Sequence, residues 1–256
     1  MTKTALITGG ARRIGAAIAQ VLHQAGYQVI IHYHHSHQQA QDLADMLNAK
    51  RAGSAKIIQA DLQIVNDKQA LAQFATDCLA MFGRLDVLVH NASSFYATDL
   101  QATHEILLSH WQDLMLTNAK APLLLTQAFL SALQDTQGSI ISLLDIHADR
   151  QPFVGYPIYN MAKAAHRMMV QSLALELSPK IRINGVAPGV NIFPDDDQNP
   201  ELNSQTQAAL TASVPLAGIG TPDDIAQTVL FLAGSPYITG QIIAVDGGRS
   251  LTIKGG

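Results

Sequence analysis

A chain of 256 residues with 48% hydrophobic content can bury one large core, and a domain of this size need not divide. A formal charge of -4 and a pI near 6.2, with no basic block, leave out the electrostatic footprint that DNA, RNA or an anionic membrane requires, so the expected partner is a small molecule. Cys78 is the only cysteine, no apolar run is long enough to span a bilayer, and the stretch from Met1 reaches the turn at Gly9 before a signal-peptide core forms, so the expected location is cytoplasmic.

Short apolar runs predict strands at residues 4–8, 28–33, 56–60, 87–90, 139–144, 182–187 and 242–245. Segments of helical period predict helices over 14–24, 38–50, 69–81, 110–133, 164–177 and 223–232. Strands apolar on both faces and separated by helices mean a parallel sheet with right-handed crossovers, hence an α/β fold, doubly wound, with ligands at the strand carboxyl ends. One break in composition, residues 191–203 with Pro194, Asp195 and Pro200, reads either as part of a mobile lid over about 190–215 or as a long solvated connection.

Taken in chain order, the chemistry starts at Thr8-Gly9-Gly10-Ala11-Arg12-Arg13-Ile14-Gly15, between the first strand and first helix. That is where backbone N–H groups and a helix N-terminus meet a nucleotide pyrophosphate. The second strand ends in His32-Tyr33-His34-His35-Ser36-His37, without the acidic residue that would hold both ribose hydroxyls of NAD. Arg12, His34, His35 and Ser36 would instead supply donors and charge to a 2′-phosphate, which favours NADP over NAD. A metal on the histidines is not expected, because successive residues of an extended segment point to opposite faces. Asp61-Leu62 closes the third strand towards the adenine edge, and Asn91-Ala92-Ser93-Ser94 closes the fourth beside the cofactor, although either is also an ordinary cap or turn. Further on, Tyr159 and Lys163 lie four residues apart, so a helix sets phenol and ammonium side by side. The cation is expected to stabilise the phenolate and bring Tyr159 towards the range useful for general acid chemistry.

With Thr8-Gly9, Gly15, Asn91-Ala92, Asn118, Tyr159, Lys163 and Pro188-Gly189 in order, and Val245-Asp246-Gly247-Gly248 near the end, the chain resembles the short-chain dehydrogenase/reductases over almost its whole length. The resemblance implies a single Rossmann-type NAD(P)-binding domain over 1–256 and a Tyr-Lys catalytic pair. It also implies that Asn118 holds a proton-relay water, and commonly a homotetramer.

Departures from that pattern narrow the resemblance. Arg13 stands where the middle glycine of the turn is usual, Ser93 where Asn-Ala is usually followed by glycine, and Asp145 where a catalytic serine is usual after the fifth strand. Together they look like the pteridine reductase branch, with its dihydropteridine and dihydromonapterin reductases. In that reading Phe95 stacks on a pterin, Ser93 and Arg13 meet the pterin edge and the cofactor phosphates, and Tyr156 lines the pocket or simply packs. Asp145 and Tyr159 pass the proton that a ring nitrogen needs, while Lys163 orients the nicotinamide ribose. The interval from Asp145 to Tyr159 is longer by one residue than the family usually shows, so Ser142, His147 and Asp149 stand as alternatives to Asp145. Trp111, Phe193 and Leu202 are candidates for the lid or a subunit contact, and the tail 247–253 for a neighbouring subunit's site.

Overall fold

The computed structural model describes residues 2–149, 151–192 and 204–252. Seven strands, β1 (Thr4–Ile7), β2 (Gln28–Tyr33), β3 (Ala55–Gln59), β4 (Val87–His90), β5 (Ser139–Leu143), β6 (Arg182–Pro188) and β7 (Ile242–Val245), form one sheet. Every pairing is parallel, and the order is β3-β2-β1-β4-β5-β6-β7. Strand order reverses beside β1, and the crevice at that reversal opens at the carboxyl ends of β1 and β4.

Alternation along the strands divides the core into two. Leu6, Ile30, Leu88 and Ile140 face one way, and Ile7, Ile31, Val89 and Ile141 the other, as a period of two requires. Helices α1 (Arg13–Gln24), α2 (His37–Lys50) and α9 (Pro222–Gly234) cover the second face with Ile18, Leu22, Leu43, Leu47 and Val229. Helices α3 (Lys68–Phe82), α5 (Ala121–Ala128), α6 (Leu130–Asp135) and α7 (Pro157–Glu176) cover the first with Phe74, Leu125, Leu133 and Val170, joined by Phe129 between α5 and α6. Deleting one such side chain to alanine removes about 2–5 kcal/mol.

Three expected elements come out differently. The single helix expected over 110–133 is α4 (His104–Met115), a π-turn (Leu116–Lys120), α5 and α6. Thr103 caps α4 by accepting from the Ile106 amide, and Pro122, which has no N–H to continue a regular ladder, follows the widened turn. Helix α7 starts at Pro157, where proline is favoured in a first turn, so Tyr159 and Lys163 both lie in its opening turns. Part of the expected 190–215 loop is helical, α8 (Ser204–Ala212). Phe193, Leu202 and Ile253 lie outside the described residues.

Candidate active site

The carboxyl ends of β1, β2, β3 and β4 enclose a groove of about 620 Å³. It gathers Gly9, Arg12, Arg13, Ile14, Gly15, His34, His35, Ser36, Asp61, Leu62, Asn91, Ala92 and Ser93 along one surface. Gly9 takes φ of +61°, and a Cβ there would come within 3.1 Å of the Ala92 Cα. A Cβ on Gly15 would stand 2.3 Å from the Gly9 carbonyl oxygen, so only glycine lets turn and helix meet. No side chain caps the N-terminus of α1, and no acidic residue sits in its first turn. Its amides and the positive end of its dipole are left for an anion, which fits a dinucleotide pyrophosphate.

Asn91 acts mainly on the turn itself. Its Nδ2 donates to the carbonyls of Thr8 at 2.9 Å and Gly9 at 3.0 Å, while the Thr8 hydroxyl takes the Asn91 and Ala92 amides. Asp61 does two things at once: Oδ1 caps the following turn through the Gln63 amide, and Oδ2 lies 3.7 Å from His34 Nε2. The His34 and His35 rings lie 3.5 Å apart between centroids, and no side-chain cap bond fixes the Ser36 hydroxyl at the start of α2. Among the described residues no cluster of three or more His, Cys, Asp or Glu has the arrangement of a metal site.

A second group forms where β5 ends and α7 begins. The Tyr159 hydroxyl donates to Asp145 Oδ2 at 2.8 Å, and Lys163 Nζ donates to the Leu143 carbonyl at 2.9 Å. The Tyr159 phenol is held well above its ordinary value, first by burial and then by the Asp145 carboxylate. This reverses the expectation of a lowered phenol, because the ammonium, 5.8 Å from the Tyr159 ring centroid, is bonded to a carbonyl rather than to the hydroxyl. Burial also brings Lys163 down to about 8, against the opposing pull of Asp145.

Asn118, 1% exposed, lies in the π-turn. Its Oδ1 accepts from the Ser93 hydroxyl at 2.6 Å, and its Nδ2 donates to the carbonyls of Ser94 and Leu114. The side chain therefore fixes the Ser93-Ser94 segment that carries Phe95. Phe95 is 43% exposed and stacks on Tyr156 at 4.7 Å and 8° while meeting Tyr159 edge-on at 4.9 Å. One Phe95 face is thus covered by Tyr156. Phe153 completes the aromatic group against Tyr156 at 4.6 Å.

The alternatives to Asp145 are all engaged elsewhere. Ser142 is buried and bonded to His166 Nε2 at 3.0 Å, Asp149 pairs with Arg167 at 3.3 Å, and His147 meets Arg249 Nη1 at 3.1 Å. Asp145 caps the following 3₁₀ turn, Ile146–Ala148, through the His147 amide. Residues 247–252 fold onto their own chain: Gln151 Nε2 reaches the Thr252 carbonyl at 3.1 Å, and Arg249, 4% exposed, also donates to Ser213. Pro188 and Gly189 close β6, with the Gly189 amide on the Val245 carbonyl, outside the groove lining. Trp111 lies on the outer side of α4 in a hollow with Lys120, Leu123 and Met169. The groove also takes in His32, Gln63, Asp113 and Thr117, which the sequence reading did not assign. The helical spacing of Asp113 and Thr117 was a usable signal; nothing local marked Gln63.

A glycine turn on an uncapped helix, at the reversal point of a parallel sheet and beside a Tyr-Lys pair, defines a dinucleotide-dependent oxidoreductase. Comparison with known proteins gives the family. A family model described as enoyl-(acyl carrier protein) reductase matches residues 9–250. Pteridine reductase 1 of Leishmania tarentolae is 39% identical, over 97% of this chain and 96% of its own. A 3-oxoacyl-[acyl-carrier-protein] reductase of Staphylococcus aureus is 35% identical over 97% and 98%, and an uncharacterized oxidoreductase of Methylorubrum extorquens 34% over 96% and 97%. The chain belongs to the short-chain dehydrogenase/reductase family, whose members are NAD(P)-dependent.

Proposed function

We propose that the protein is an NADPH-dependent pteridine reductase that converts a dihydropteridine, of the dihydrobiopterin, dihydromonapterin or dihydrofolate kind, to its tetrahydro form. The observation that carries the reading is the hydrogen bond from Tyr159 to Asp145, with Ser142 turned into the core. Bound NADPH supplies the hydride. The chain's residues then have to place the ring and deliver a proton to its nitrogen. A carboxyl and a phenol joined at 2.8 Å suit that transfer, because a proton leaving Tyr159 for the substrate nitrogen is replaced by one taken from solvent through Asp145. Lys163 holds the nicotinamide ribose beside them, and Phe95 offers its uncovered face to the flat heterocycle. Arg12, His34, His35 and Ser36 take the 2′-phosphate, while Arg13 and Ser93 meet the pterin edge.

A second reading, a carbonyl reductase acting on a 3-oxoacyl thioester or a sugar, is favoured by the Staphylococcus relative. The acid in place of the serine speaks against it. A non-catalytic NADP-binding regulator would have no use for the joined Tyr159 and Asp145. NADPH oxidation with dihydrobiopterin, dihydromonapterin and dihydrofolate, set against acetoacetyl thioester, separates the three; turnover of the thioester alone would end the pterin reading. In the same proposal a homotetramer forms, with Trp111, Leu123, Met161 and Met168, which are 44%, 45%, 47% and 61% exposed in the single chain, covered by a second copy.

A further inference from the structure

His32 lies in β2 with 2% of its surface exposed, in a strand otherwise filled by apolar and aromatic packing. Its Nδ1 accepts from the Gly9 amide at 3.1 Å, its Nε2 reaches the Ala60 carbonyl at 3.1 Å, and its own carbonyl takes the Gly10 amide at 2.8 Å. An amide N–H only donates and a carbonyl only accepts, so the partners fix a neutral imidazole with its proton on Nε2. The ring thereby spans two segments on opposite sides of the groove, the glycine turn after β1 and the Ala60-Asp61 segment after β3. Phe74 of α3 holds it from the edge at 5.7 Å and 86°.

We propose that His32 is a positioning residue for the dinucleotide: its neutral imidazole sets the gap between the pyrophosphate turn and the adenine-side loop, and so governs affinity for the whole cofactor. The inference rests on the groove being the dinucleotide site and is independent of which substrate is reduced. Burial lowers the imidazole to about 4, opposed by the Ala60 bond, with His34 just past its strand lowering it and Asp61 after β3 raising it. The turn presents only the Gly9 amide to the ring, and α3 the uncharged Phe74. A proton on Nδ1 would set one N–H against another and open the clamp. Dinucleotide affinity therefore falls as pH drops towards about 4. NADH, which has no 2′-phosphate, reads this loss without any contribution from charged groups around that phosphate.

The test is direct titration of NADPH and NADH into wild type, His32→Leu and His32→Asn, well below each protein's Tm. Losing two hydrogen bonds is expected to weaken both dinucleotides about 10- to 100-fold in His32→Leu, with the NADPH/NADH ratio unchanged and kcat at saturating NADPH within about threefold. His32→Asn, whose amide oxygen stands near the place of Nδ1, is expected to recover part of the loss. Unchanged affinity in a folded His32→Leu, beside normal wild-type binding, overturns this proposal alone; wild type without affinity for either dinucleotide overturns it together with the cofactor reading. Should His32→Leu not fold, ¹⁵N NMR of the wild type decides. A neutral Nε2–H ring at pH 6 whose charging parallels loss of NADH supports the clamp, and a charged ring at that pH overturns it.

Discussion

The Tyr159 hydroxyl donates to Asp145 at 2.8 Å across the gap between α7 and the end of β5, so the phenol proton already points at a carboxylate. Tyr159→Phe and Asp145→Asn are both expected to lower turnover by about 10²- to 10⁴-fold, the usual weight of a positioned proton donor. Affinity for NADPH should stay nearly constant. Single-turnover kinetics beside equilibrium titration measures both; undiminished turnover in Tyr159→Phe would falsify its place in the proton path.

Lys163 titrates near 8 because it is buried, whereas its ordinary value is 10.5. Losing the charge removes the cation proposed to hold the ribose, so kcat/KM is expected to fall as pH rises through about 8. Lys163→Arg keeps its charge throughout that range, and its residual activity should show no such alkaline limb. A pH profile of both proteins checks the assignment.

Arg13 adopts φ of +52°, a left-handed conformation that costs a residue with a Cβ about 1–2 kcal/mol. Arg13→Gly is therefore expected to raise unfolding stability by about 1 kcal/mol while weakening pterin binding. Urea denaturation and the pterin KM read the two effects separately. A gain in stability with an unchanged or lower pterin KM would leave the strain unexplained by substrate recognition.

Discrimination between NADPH and NADH should lie largely with Arg12. A charge-assisted bond to phosphate contributes about 1.5–3 kcal/mol, so Arg12→Ala is expected to reduce the NADPH/NADH preference about 10- to 100-fold. NADH affinity itself should move little. A fall in both affinities by one common factor would place Arg12 on the pyrophosphate instead.

Acid is expected to destabilise the fold through its buried histidines. Burial lowers His32 from 6.5 to about 4 and His90 to about 3, and holds His166 well below its ordinary value. Below pH 6.5 the unfolded chain binds protons that the native chain refuses, so stability is complete above that value and declines towards pH 4, by about 1.4 kcal/mol per unit for each histidine. Thermal melts between pH 7 and 4.5 measure the slope, and His90→Gln should flatten it.

The sheet was legible because its strands are short apolar runs flanked by turn residues, and both core faces follow from alternation alone. The glycine turn, Asn91 and the Tyr159-Lys163 interval were legible as local motifs. The break in the long helix was not, since the widened turn at Leu116–Lys120 has only Pro122 to announce it, and helical period continues on either side. Nor was the sign of the Tyr159 shift. Spacing along a helix puts Lys163 near the phenol but says nothing of the Leu143 carbonyl that captures its ammonium. Likewise His32 resembled its neighbours in a histidine-rich run, and only the long-range partners Gly9 and Ala60 set it apart.

The bond from Arg249 to His147 has a practical corollary at the bench. The segment that ends the described chain props the turn beginning at Asp145, so a load placed behind that segment is expected to reach the acid. Preparations with a carboxyl-terminal handle should turn over more slowly than those tagged ahead of β1, and removing that handle by protease should abolish the difference.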